Sequence, residues 1–151
     1  VLVPGYQVPG STMNICFLCR TYGILILVAK YRHSIPPILL AMQSHVSTGD
    51  VQKTGCGALL NLSVNGNNKV AIAAAGGIDA ILLAMRSHVS NADVQKYGCG
   101  AFLNLGENGN NRVVIAAAGG IGAILLAMQQ HLSNADVQKY GHEALQIFFC
   151  E

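Results

Sequence analysis

The sequence predicts an all-α chain folded as a right-handed α-solenoid, in which three-helix units of period 43 stack side by side. Repetition is the first reason. Between Ile35 and Ala75, 30 of 41 positions match the residue 43 places later, and from Gly119 to Gly141, 19 of 23 match the residue 43 places earlier. A fixed period of this size marks units that bury their apolar faces only against their neighbours. The second reason is that apolar residues inside each block recur at helical spacing, separated by Gly-Gly and Ser-Asn-Ala-Asp punctuation. The third is composition: 52% apolar but only 11% charged, less than half the usual share of about 25%. So little charge implies that neighbouring units or a partner cover much of the surface.

Residues 1–33 fall outside the repeat and form a divergent N-terminal segment. "VLVPGYQVPGS" has the Pro and Gly of an extended loop. Ile15 to Ala29 follows as an apolar helix expected to cap the open end of the stack. Its unbroken apolar run, Ile24 to Ala29, is far short of the ~20 residues that span a bilayer, and no basic stretch ahead of it suits a signal peptide. The repeats occupy 34–151, as 35–75, 76–118 and 119–151.

The middle unit sets the pattern for each helix. Asn110 is expected to cap a short first helix, and Gly119 or Gly120 to end it in the left-handed conformation. Ile78, Ile81, Leu82 and Met85, at i, i+3, i+4 and i+7, make one apolar stripe of a second helix. Ser90 with Asp93 resembles a capping box that opens a third and longest helix. Val94, Gly98, Ala101, Phe102 and Leu105 are its buried stripe, and the small residues Gly98 and Ala101 permit close helix approach. After Gly141 the register fails, with one match in ten from His142 to Glu151, and Phe148 and Phe149 are expected to be exposed unless something covers them.

Most residues that resemble chemistry are explained by the repeat. A net charge of +2 without a Lys/Arg-rich run gives no footing for nucleic acid. Cys56 and Cys99 are repeat-equivalent, as expected of reduced, packed thiols in an intracellular, cytoplasmic protein. Cys16 and Cys19 form a C-x-x-C that is half a zinc site at most. His45, His88 and His131 end the second helices, where a histidine complements the helix dipole. Asp50, Asp79, Asp93 and Asp136 fall in first turns, and nothing pairs Glu107, Glu143 and Glu151 as acid and base. The Gly-rich turns lack the Lys-Ser/Thr of a phosphate loop. No catalytic residue, metal or cofactor is expected, and the chain reads as a non-enzyme.

Lys53, Lys96 and Lys139 recur once per unit on the third helices. Lys96, Gly100 and Asn104, at i, i+4 and i+8, share one helical face. Stacked, the lysines make a mildly basic stripe suited to an acidic or backbone-rich ligand, or simply a solvated face. Tyr97 and Tyr140 lie beside it and offer aromatic contact.

The order N-x-x-x-I-x-x-A-G-G-I, then an apolar helix, then D-V-Q-K-x-G-C-x-A-x-x-N-L, resembles the armadillo repeat, over Ile35 to about Leu145. It is similar to armadillo arrays of large protist proteins, including Roco-type leucine-rich-repeat kinases. The resemblance implies that the third helices line a concave groove, where a ladder of Trp and Asn holds an extended peptide. The Asn rung falls on Asn61 and Asn104, both expected to be exposed, and becomes Ile147 in the third unit. The Trp rung is Gly57, Gly100 and Glu143, so binding of basic nuclear-import peptides does not fit. With helices about 8–10 Å apart, the groove is roughly 20–30 Å long and fits about six to nine extended residues.

The expected function is therefore a protein–protein interaction module binding a peptide or partner protein. Two alternatives stand beside it. One is a non-catalytic regulatory segment of a larger Roco-like signalling enzyme. The other is a structural spacer that self-associates through apolar end helices.

Overall fold

The computed structural model describes residues 32–149, and among them every element is helical. The expected N-terminal capping helix and the Cys16–Cys19 pair lie outside the described residues. After a 3-10 turn at Arg32–Ser34 come α1 (Ile35–Ser44) and α2 (Gly49–Leu62). A full triplet follows, α3 (Gly66–Ala74), α4 (Gly77–Ser87) and α5 (Ala92–Gly106), then a second, α6 (Gly109–Ala117), α7 (Gly120–Gln130) and α8 (Ala135–Phe149).

Asparagines cap the starts of α3, α5, α6 and α8. Asn108, in extended backbone, accepts from the Asn111 amide at 3.1 Å and caps α6, as Asn65 caps α3. Asn110 lies inside α6 and does not cap it. Likewise Asn91, not Ser90, opens α5: its Oδ1 takes the amides of Asp93 and Val94 at 3.1 and 3.2 Å. Ser90 stands one residue too far from the first turn to reach those groups.

The two glycines of each Gly-Gly pair do different work. Gly76 and Gly119 have φ of +84° and +88°, a left-handed conformation that side chains resist. Gly120 opens α7 instead, and a β-carbon there would lie 2.9 Å from the Ile115 carbonyl oxygen. The short helix can therefore fold back sharply on the next, by 74° between α3 and α4 and 70° between α6 and α7.

Within a unit, the second and third helices cross closely. A β-carbon on Gly98 would sit 2.6 Å from the Met85 side chain, and Gly55 and Gly141 meet Met42 and Met128 in the same way. The predicted stripes are buried: Ile78, Ile81, Leu82 and Met85 on α4, and Val94, Ala101, Phe102 and Leu105 on α5. A glutamine completes each crossing, buried in the first two and partly buried in the last. Gln95 donates from Nε2 to the carbonyls of Met85 and His88, both at 2.9 Å. Gln52 and Gln138 repeat the pair. These bonds satisfy carbonyls that the end of the second helix leaves orphaned.

Between units, the third helices α2, α5 and α8 pack successively on one another. Side chains then bond backbone in the neighbouring unit. His88 donates to the Val46 carbonyl at 2.6 Å and His131 to the Val89 carbonyl at 2.7 Å. Asn111 donates to the Lys69 carbonyl and Arg86 to the Ala118 carbonyl. The histidines thus join units as well as ending helices. At the last helix, Phe148 packs partly buried against the core while Phe149 is exposed, so only one of the two phenylalanines stands out. No single described helix is long and apolar enough to cross a membrane.

Candidate functional site

Because α2, α5 and α8 lie side by side, repeat-equivalent side chains come together in rows. The glycines at the Trp rung are not empty. Tyr97 lies against Gly57, where a β-carbon would be 3.8 Å from the ring, and Tyr140 lies against Gly100 at 3.3 Å. Each tyrosine comes from the following unit. At Gly57 a β-carbon would fit at ordinary contact distance, whereas at Gly100 it would crowd Leu60 at 3.2 Å as well as the Tyr140 ring.

The asparagine rung divides. Asn61 is exposed as expected. Asn104 is not: it is partly buried, and its Nδ2 donates to the Leu60 carbonyl at 3.1 Å across the unit boundary. Its amide is half committed to holding α5 against α2. The expectation that both would be exposed fails because neighbouring third helices are close enough for one Asn to reach the other's backbone.

The lysine stripe is largely neutralised. Lys53 pairs with Asp50 within α2 at 3.1 Å. Lys96 reaches Asp136 of the next unit at 2.8 Å. Its Nζ lies 5.2 Å from the centre of the Tyr97 ring, and the Nζ of Lys139 lies 5.9 Å from that of Tyr140. The Asp136 bond raises the Lys96 pKa above the ordinary lysine value, and the same bond and charge hold the Asp136 carboxyl below the ordinary aspartate value, with Lys139 adding to the effect. Repetition of Lys and Asp was visible in the sequence, but which Asp each Lys meets depends on the offset between units.

Further along α5 and α8, Glu143 and Ile147 stand at the register positions of Gly100 and Asn104. With Leu103, Glu107, Arg112 and Gln146 they line an open depression of about 610 Å³. Glu107 is paired with Lys69, and Arg112 donates to the Gly106 carbonyl at 3.1 Å. Sequence reasoning missed the Lys69–Glu107 pair, since Glu107 replaces Val64 and so breaks the repeat.

Cys56 and Cys99 are fully buried, and burial pushes both thiols up to about 12. A thiolate nucleophile therefore does not form at either position near neutral pH. Among the described residues no cluster of His, Cys, Asp and Glu is arranged to hold a metal.

No family model matches the chain, and comparison with curated proteins and with solved structures returns no match.

Proposed function

We propose that the chain is an armadillo-type α-solenoid that binds an extended peptide or partner protein along the face formed by α2, α5 and α8. The observation that carries the reading is the pair of cross-unit shelves, Tyr97 on Gly57 and Tyr140 on Gly100. They put two aromatic rings, one from each of the last two units, near the asparagines of one face. Tyrosine supplies apolar area and a polar tip at low entropic cost, as recurrent binding surfaces require. Asn61 adds a donor and an acceptor that match a peptide backbone.

Selection of peptides from a displayed library on the immobilised chain, followed by backbone NMR shift mapping, tests this. Shifts should concentrate on residues 53–61, 96–104 and 139–147, and Tyr97→Ala with Tyr140→Ala should remove them. Shifts confined to α3, α4, α6 or α7 would refute the groove.

One observation favours stacking against another helical unit as a second reading. Leu125 is 43% exposed, whereas its counterparts Leu39 and Leu82 are 4% and 3% exposed. Concentration-dependent mass in sedimentation, lost on Leu125→Glu, would support it over peptide capture.

A further inference from the structure

Among the three repeat-equivalent lysines, Lys96 holds a carboxylate from another unit. Its Nζ meets Asp136 Oδ2 at 2.8 Å, and the lysine side chain is 24% exposed against 58% for the aspartate. Asp136 also feels the charge of Lys139. Its carboxylate is therefore bonded to Lys96 and attracted by Lys139, two of the three cations of the stripe, the place a ligand's acidic group would take. Tyr97 and Tyr140 flank the two ammonium groups.

We propose that Asp136 is an internal competitor for acidic ligands: it occupies the Lys96 ammonium and must be displaced by a ligand carboxylate. The inference rests on the groove reading and names the ligand class, a peptide bearing Asp or Glu. The exchange is favourable to the extent that one carboxylate replaces another at a surface site. Asp136 is already more than half exposed, so its release into water needs no rearrangement of the core. Displacement leaves the lysine paired, so the cost of an unmatched cation is avoided. The competing aspartate thereby sets a threshold that a neutral backbone ligand does not meet.

The test uses the full chain and a fluorescein-labelled hexapeptide of alternating Glu and Ala, with a Gln-for-Glu peptide as control, followed by fluorescence polarisation at low salt. Asp136→Asn should tighten binding of the Glu peptide roughly two- to fivefold, the range expected for removing one exposed competing charge. Asp79→Asn makes the same change in net charge on α4 and should leave the affinity unaltered. Lys96→Met should abolish the gain. Asp136→Ser, which keeps a small polar residue in the first turn of α8, is the second variant should the Asn form fold poorly. An Asp136→Asn protein that binds no tighter, or an Asp79→Asn protein that tightens equally, overturns the competition. Failure of the groove itself looks different: no protein then distinguishes the Glu from the Gln peptide, and Lys96→Met changes nothing.

Discussion

His131 donates from Nε2 to the main-chain carbonyl of Val89 at 2.7 Å, and the two residues are 42 apart in the chain. A carbonyl can only accept, so the ring carries its proton on Nε2. Since His88 makes the same bond to Val46, the contact is a joint between units and not an accident of one helix end.

Replacing His131 with Ala should therefore lower stability by about 0.5–1.5 kcal/mol, the usual net worth of one such bond. Urea unfolding of the variant and parent measures this directly. An unchanged midpoint would show that the imidazole contributes nothing across the boundary.

Two glycines in one helix should respond with opposite signs. Gly122 has nothing within 4 Å of a β-carbon, so Gly122→Ala should stabilise by about 0.5–1 kcal/mol through helix propensity. Gly120→Ala places a methyl 2.9 Å from the Ile115 carbonyl oxygen and should destabilise by about 1–3 kcal/mol through overpacking. Thermal melts of the two variants, run together, check the reversal.

The asparagines of the rung should also separate. Asn61→Ala touches an exposed side chain and should stay within about 0.5 kcal/mol of the parent. Asn104→Ala removes the bond to the Leu60 carbonyl and should cost about 0.5–1.5 kcal/mol. Equal, negligible effects on folding would return Asn104 to the role of a free ligand contact.

The Lys96–Asp136 pair gives a pH signature. The Asp136 pKa is lowered on folding, so its contribution is present above the ordinary aspartate value and lost as pH falls through the depressed one. Lys96 is raised, so its contribution holds below the ordinary lysine value and disappears as pH climbs through the elevated one. The stability difference between parent and Lys96→Met should hence be largest between about pH 5 and 9 and shrink at both extremes. A difference that stays undiminished at both the acid and the alkaline extreme would contradict the pairing.

Helices and their inward faces were readable because burial follows local periodicity: Ile78 through Met85 and Val94 through Leu105 sit where their spacing puts them. The packed state of Cys56 and Cys99 followed from their repetition. What escaped were relationships between units. Neither the His131–Val89 bond nor the Lys96–Asp136 pair has a local pattern, since each depends on how far one triplet is offset from the next. Gln95 was legible in principle, because a glutamine repeated at the same position in every unit, as Gln52 and Gln138 are, signals a polar group with fixed partners. Asn108 was overlooked among three asparagines crowded into "NGNN", where only backbone conformation singles out the cap.

Nearly every polar link between triplets ends on a main-chain oxygen: those of Val46, Leu60, Lys69, Val89 and Ala118. A carbonyl is supplied by any amino acid, whatever its side chain. Substitution at those five positions can thus leave the couplings in place so long as the backbone keeps its path, so the joints between triplets do not depend on which side chains stand there.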